Sequence, residues 1–501
     1  MVADAVAVAL VALGLFIAFR GGFPSNDSWH TLIWAEELAS GRLPDYEAPL
    51  APTPHPLMIL YAAALSPFGP AADPVLQVTA MAALSAVAVG VFRLGTRLYA
   101  WPVGLLAAAT LLTREQFLYL GVRGTVDVLA LALIVWAAVL EAQRSRRGWP
   151  VLALLFLAGL LRPEAWLFGA AYWLWLIPAR GWRASAGLGA LAGAAPMLWA
   201  LTDHLVTGDP LWSLRGTQAL AETLDRPTGV SALPASAWYA LEELLTPPLA
   251  IVGACGLVAG LVFRRRPTLL LAAILALGAT AFVGLALFSL PLNERYLTPA
   301  AFVLILGSAV SALGWVTLPS RTTLRSVWRA AGALTAVFMA VLLHYQLPTL
   351  ASLRADIVAN QAIGNDLRAL LDSDSVRREV LHCGRLVAPS NFRRPQLAYL
   401  ANRSEESVAL PKRGGLRKGG VYVRAATESE ATSPGNANSF APTDFRAFSR
   451  DIGPLKALVP QGYSELARTR FWVAYSRCEA RSGRNGRSGR QVPRAGGERT
   501  P

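Results

Sequence analysis

The sequence predicts an all-α polytopic membrane domain of about eleven transmembrane helices, followed by a small α/β or α+β extracytoplasmic C-terminal domain. Three observations carry this. Of the 501 residues, 54% are hydrophobic and only 16% charged, against roughly 25% charge in an ordinary soluble domain. Apolar runs of about 18 residues, the length that crosses a bilayer, recur along most of the chain. The loops between these runs also alternate. Those after the even-numbered runs carry one to three arginines and almost no acid, whereas those after the odd-numbered runs carry the acids and the longer insertions.

Residues 3–19 form the first run. It lacks a basic leader and a convincing Ala-x-Ala site, so it reads as a retained span rather than a signal peptide. Residues 20–73 are polar or interfacial, and within them His55–Gly69 is apolar but short and proline-bounded, the signature of a helix lying in the interface. Further spans fall at 74–92, 98–113, 126–142, 149–161, 165–178, 184–202, 246–263, 268–290, 298–317 and 330–346, with a long polar loop at 203–244. The arginine alternation makes this a multi-pass cell-membrane protein with a cytoplasmic N-terminus and an extracytoplasmic C-terminal part. The net charge of +14, from 46 Lys+Arg over 32 Asp+Glu, is then explained by orientation signals and calls for no nucleic-acid partner.

The membrane domain thus covers 1–346 and a soluble domain 347–480. The latter has strand-like runs at Glu379–Leu381, Gly420–Val423 and Phe471–Tyr475 and a helical pattern at Asp356–Leu371. Residues 481–501, rich in Arg and Gly, read as a disordered basic tail. Cys383 and Cys478 would form a disulfide if this part is extracytoplasmic, while no Cys/His spacing suggests zinc. The basic, glycine-bearing stretch at Lys412–Gly415 has no strand–loop–helix frame and reads as a loop.

The ionisable residues gather on the extracytoplasmic side. Asp27 follows the first span; Glu115, Arg123 and Asp127 surround the start of the fourth; Arg162 and Glu164 make the turn between the fifth and sixth. Arg215 and Arg226 lie in the long loop, and Glu294 and Arg295 follow the ninth span. Singly, each is most simply a capping carboxylate or a snorkelling arginine. Together they suggest a site, because ionised groups at a membrane edge are costly unless paired or functional. A carboxylate among arginines suits sugar transfer from a lipid phosphate. The acid takes the proton of an acceptor hydroxyl, and planar guanidinium forks hold the departing phosphate. Inversion needs a single carboxylate base. His55, which precedes Pro56, is first a structural residue and second a contact to acceptor or phosphate.

Several segments, in order along the chain, strengthen this reading: NDSWHTLIWAEELASGRLP after the first span, PTPHPLMILYAAALSPFG, the stretch from Glu115 to Asp127, LRPEAW, and NERYLTPA. Over about residues 1–345 the pattern resembles the GT-C class of integral-membrane glycosyltransferases, which includes the lipid A aminoarabinose transferases and the protein O-mannosyltransferases. The resemblance implies transfer of a sugar, a mannose-like hexose or an arabinose, from a polyprenyl-phosphate donor to a lipid, glycan or protein acceptor. It makes Asp27 the catalytic carboxylate and Asp127 the acid that shapes the site. Arg123, Arg162 and Arg295 become candidates for the donor phosphate. Glu164, His55 and Arg215 are further candidate substrate contacts by their placement on the extracytoplasmic side. A divalent metal, the one cofactor in question, would fall to Asp27 and Asp127. Many relatives carry an acidic pair where this chain has Asn26-Asp27-Ser28, which weakens the case for metal at the first loop. The rival reading is a non-catalytic transporter or lipid-carrier flippase. That would call for ionisable residues near the bilayer midplane and broken helices in repeated halves, and the spans show neither clearly.

Overall fold

Every expected span coincides with a helix in the computed structural model, which describes residues 2–411, 416–426 and 461–478. Helix α1 (Val2–Phe19) leads through a short loop to α2 (Asn26–Ala39). The start of α2 is fixed by Ser25, whose hydroxyl accepts the backbone N–H of Ser28, a capping arrangement that satisfies one of the free amides of a first turn. Helix α3 (Pro56–Leu65) begins with proline at its first position and is separated from α4 (Ala72–Leu98) by a 3₁₀ turn broken at Gly69. There follow α5 (Trp101–Leu111), α6 (Glu115–Val122), α7 (Val126–Gln143), α8 (Trp149–Leu161), α9 (Ala165–Arg180) and α10 (Trp182–Thr207). Next come α11 (Trp212–Thr223), α12 (Gly229–Leu244), α13 (Pro247–Phe263), α14 (Arg265–Leu287), α15 (Thr298–Leu313) and α16 (Thr323–Asp372).

Among the described residues, seven helices or helix runs are long and apolar enough to cross a membrane, or eight if the pair α12–α13, bent by 92°, is one span. Helices α5 and α8 are apolar but short. At 11 residues α5 rises only about 16 Å, roughly half a hydrocarbon core. The membrane core is built on α4, α5, α7 and α15, with Leu84, Leu94, Val135, Phe302 and Leu306 buried between them. Small residues set the closest crossing: a Cβ added at Gly256 of α13 would lie 1.8 Å from the carbonyl oxygen of Gly307 on α15. Without glycine there, the two backbones could not approach as apolar helices in lipid prefer to.

The 203–244 loop is not irregular. It folds into α11 and α12, and α12 turns Leu233, Ala237, Ala240 and Leu244 against the bundle at helical spacing. The 50-residue α16 joins the expected last span to the expected helix at Asp356–Leu371, so residue 346 lies inside one continuous helix. Beyond it come α17 (Asp374–Cys383) and α18 (Arg394–Leu400), with a five-stranded sheet of order β2-β1-β3-β5-β4. The strands are β1 (Leu386–Val387), β2 (Val408–Ala409), β3 (Gly420–Ala425), β4 (Ser464–Arg468) and β5 (Trp472–Arg477). The first three strands of that order run parallel and the rest antiparallel. In β5, Trp472 and Ala474 face α16, while Val473 and Tyr475 pack on the other face.

One expectation is overturned: Glu379–Leu381 lies in α17, not in a strand. Val376 and Val380, four apart, supply a buried helical stripe, and Gly384 ends the helix in the left-handed conformation. The strand expectations at Gly420–Val423 and Phe471–Tyr475 coincide with β3 and, from Trp472, β5. Cys383 and Cys478 are joined in a disulfide that ties the end of α17 to the residue after β5. Lys412–Gly415 and the basic tail at 481–501 lie outside the described residues.

The apolar core of this C-terminal part is continuous with the first polar stretch of the chain. Trp29, Leu32 and Ile33 of α2 share one cluster with Leu367 and Leu370 of α16, Leu397 of α18 and Trp472. Helix α2 is therefore clamped between bundle and sheet, and its first turn is where the candidate site lies.

Candidate active site

Backbone hydrogen bonds bring two distant acids together. The N–H groups of Phe23 and Ser25 donate to the carbonyls of Val122 (3.0 Å) and Arg123 (2.9 Å). The Ser28 hydroxyl donates to the carbonyls of Arg123 and Gly124. This stitch requires Gly22, where φ is +74° and a Cβ would stand 2.0 Å from the Val122 oxygen. It holds the first turn of α2, with Asp27, beside the first turn of α7, with Asp127.

Two arginines from other turns complete the cluster. Arg295, just before α15, places Nη1 3.2 Å from Asp27 Oδ2 and 3.8 Å from Asp127 Oδ2. Arg162, at the end of α8, pairs with Asp127 through Nη2 and Oδ1. The guanidinium of Arg162 lies 4.7 Å above the Tyr296 ring and that of Arg295 5.6 Å from it, so one aromatic face steadies both. The order is Asp27, Arg295, Asp127, Arg162, with charges alternating. The Asp127 side chain is 2% exposed and that of Asp27 30%.

Burial alone would raise the Asp27 carboxyl, but the charges of Arg295, Arg226 and Arg123 outweigh it and hold the group at about 2. His55, 4% exposed, stands edge-on to Trp199 at 5.8 Å, just before α3. Burial and then the charge of Arg162 lower it to about 3, so it is neutral at physiological pH.

A cavity of about 290 Å³ opens over the cluster, lined by Asp27, His55, Arg123, Arg162 and Arg295. A smaller one of about 30 Å³ lies on the other side of Asp127, Arg162 and Arg295 and carries Glu164 with Leu131, Ile134 and Phe168. Arg123 also lies 4.5 Å over the ring of Tyr119. The structure therefore brings Asp27, Asp127, Arg123, Arg162, Arg295 and His55 to one place, with Glu164 adjoining. Arg215 does not belong there. It pairs with Asp209 at 2.6 Å, is 65% exposed, and lines neither cavity. Its loop sends Arg226 instead. Tyr239 and Glu243, one helical turn apart on α12, and Asp356 of α16 also line the larger of these two cavities. The i, i+4 spacing of Tyr239 and Glu243 was a usable signal once the loop was read as helix.

The donors do not form a metal cage. Asp27 and Asp127 both turn to Arg295. Among the described residues, the group with metal-ligand spacing is His382, Cys383 and Cys478, two of which are spent in the disulfide.

The fold joins a helical membrane bundle, an acid-bearing helix after the first span and a small mixed sheet at the C-terminal end. A solved structure with this fold is ArnT from Cupriavidus metallidurans bound to undecaprenyl phosphate. It matches with TM-score 0.54 and 14% identity over 94% of this chain and 97% of that one, a likeness of fold. The apo state of the same protein matches with TM-score 0.41 and 16% identity over the same shares. No protein family and no curated protein sequence matches the chain.

Proposed function

We propose that this membrane protein is an inverting glycosyltransferase that moves a sugar from a polyprenyl-phosphate carrier to an acceptor hydroxyl, with Asp27 as general base. The observation that carries the reading is the ordered cluster Asp27–Arg295–Asp127–Arg162 beneath a cavity at the helix ends. The fold likeness to a protein solved with undecaprenyl phosphate supports the choice of carrier. A transporter would place such groups near mid-span, whereas these sit in first turns and interhelical turns.

Arg295 is shared, and this gives the reaction its logic. In the free protein it neutralises Asp27 and keeps the carboxylate a weak base. A donor phosphate entering beside Arg162, Arg295 and Arg123 competes for the same guanidinium, and each fork grips two phosphate oxygens. With Arg295 drawn away, Asp27 becomes more basic as substrate arrives. It then takes the acceptor proton while the acceptor oxygen bonds to the anomeric carbon. The carbon–oxygen bond to the phosphate breaks, and the arginines stabilise the charge that develops on the leaving phosphate. Asp127 keeps Arg162 and Arg295 in place. A divalent ion would have to displace Arg295 from both acids, so the residues present fit an anion rather than a metal. The arginine alternation supports an extracytoplasmic side for the site and the C-terminal sheet.

The test is transfer from a panel of hexosyl and pentosyl polyprenyl phosphates by purified protein. Asp27→Asn is expected to abolish transfer while folding and insertion stay intact, and retained transfer would overturn the assignment.

A further inference from the structure

Helix α7 starts at the acid cluster with Asp127 and ends at Gln143, a rise of about 27 Å, close to the thickness of a hydrocarbon core. Helix α8 leads back to Arg162, and α9 returns from Ala165 to Arg180. Two turns therefore meet at the membrane surface opposite the candidate site: residues 144–148 between α7 and α8, and residues 180–182 between α9 and α10. They and the first turn of α10 carry Arg144, Arg146, Arg147, Arg180 and Arg183.

The two turns are laced together. Arg180 Nη2 donates to the carbonyls of Arg146 at 3.1 Å and of Arg147 at 3.4 Å. It runs so close to Gly148 that a Cβ there would lie 2.6 Å from it. Arg146 lays its guanidinium 4.5 Å over the Trp175 ring, and its Nε is buried without a hydrogen-bond partner. The acid of this corner is Glu141, and its oxygens are occupied. Both accept the backbone N–H of Arg146, one accepts the Tyr172 hydroxyl and the other the Trp175 indole N–H. Glu141 thus shapes the turn and neutralises no guanidinium. None of the five arginine side chains pairs with a carboxylate among the described residues, whereas Arg93 on α4 pairs with Asp4.

Two helices also start here. Both α8 and α10 follow a glycine with positive φ, Gly148 and Gly181, and neither start is capped by a side chain. Each turns the positive end of its dipole to the same corner. The first residues of these helices are Trp149 and Trp182, 67% and 62% exposed, and indole rings favour the headgroup level of a bilayer. Membrane orientation requires only the number of positive charges. It does not require one arginine to be bonded to the neighbouring turn, or another to be stacked with its Nε buried.

We propose that this corner binds the phosphate of an anionic phospholipid in the leaflet opposite the candidate site. Arg144, Arg146, Arg147 and Arg183 surround the phosphate, Arg180 joins the two turns, and the exposed indoles lie against the glycerol and upper acyl chains. Free phosphate would use the arginines alone, so the flanking tryptophans favour a lipid. The proposal does not depend on the glycosyltransferase reading.

The experiment titrates the full chain, in neutral detergent, with phosphatidylglycerol and with phosphatidylcholine, and reads bound lipid by native mass spectrometry. Phosphatidylglycerol is expected to bind roughly tenfold more tightly. Arg146→Gln with Arg180→Gln removes the two held arginines. Arg144→Gln with Arg183→Gln removes two exposed ones whose side chains make no hydrogen bond or ion pair among the described residues, and it decides the matter should the first pair disturb the turns. Each pair is expected to weaken phosphatidylglycerol binding roughly tenfold and leave phosphatidylcholine binding unchanged. Arg265→Gln with Arg266→Gln removes the same charge from exposed positions in the first turn of α14 and is expected to change binding by less than about twofold. The proposal is overturned if the parent binds the two lipids alike, if neither of the first two pairs weakens binding, if the α14 pair weakens it as much, or if inorganic phosphate competes as well as the lipid, mole for mole.

Discussion

The cavity over Asp27 and a larger one of about 550 Å³, walled by the loop after α1 and by α16, adjoin and differ in how their charges are coupled, although both hold buried polar atoms without hydrogen-bond partners. In the smaller, over Asp27, each carboxylate of the central cluster already has a guanidinium, and Tyr296 steadies the two arginines. In the larger, Asp73 pairs with Arg368 at 3.0 Å, and the unpartnered Asn26 Oδ1 belongs to a residue that lines both cavities. Pre-paired charges hold a geometry that need not reorganise during a reaction. Unpaired polar groups lower stability and are kept where a ligand completes them. The contrast is between two acids that share one guanidinium and a single acid that holds its own arginine.

The sharpest way to break that contrast is to compare the two acids of the cluster. Asp127→Asn leaves Arg162 in a nearly closed site without its counter-charge, and removing one partner of a buried pair costs roughly 3–5 kcal/mol. A large fall in melting temperature, measured in detergent, is expected. Asp27→Asn, at a partly exposed carboxylate whose arginine keeps Asp127 as a second partner, should lower melting by less, while transfer falls by roughly 10²–10⁴. Equal effects on melting would erase the distinction between the holding acid and the reacting acid.

A gentler change is Arg295→Lys, which keeps the charge and loses the fork. Donor KM is expected to rise about tenfold with a smaller loss in kcat. A change in kcat alone would argue against the shared-guanidinium mechanism.

The pH dependence of stability sharpens the picture further. His55 titrates at about 3 when folded, below its unfolded value of 6.5. Between these values the unfolded chain binds the extra proton, so stability is fully present above about 6.5 and falls as the pH drops toward 3. Asp27 acts in the same direction over a lower window, from 3.8 down to about 2. His55→Gln should flatten the melting temperature between about pH 4 and 6.5, and an unchanged slope there would place the titration elsewhere. The smallest effect concerns metal: transfer should be unchanged by a chelator, and loss restored by a divalent ion would overturn the anion-site reading.

Much of the membrane domain was legible because apolar length and arginine placement are local properties of the chain. The same locality exposed Asp27, Asp127, Arg162 and Arg295, since an ionised residue at a span edge stands out against Leu and Ala. What was lost depended on context. The short run Glu379–Leu381 is too brief to separate the two periodicities, and only burial of Val376 and Val380 decides for helix. Arg215 and Arg226 look alike in one polar loop. The fold of α11 and an isolated pairing of Thr228 with Pro291 send one outward and the other inward. Gln77 is a lone amide in an apolar run, and its cavity exists only because α16 and α18 close over it.

Helix α16 has a mechanical consequence. Its first part shows Leu334, Val337 and Leu347 on the outside, as a lipid-facing helix would, and its later part carries Asn360 and Gly364 into the cavity wall. Pro348 lies between these parts and removes a backbone hydrogen bond there, so bending concentrates at that point. A rod of 50 residues is about 75 Å long. A thinner or thicker bilayer changes the tilt of the helices it holds, and bending at Pro348 lets the lipid-facing part of α16 follow such a tilt while the later part keeps its place in the cavity wall.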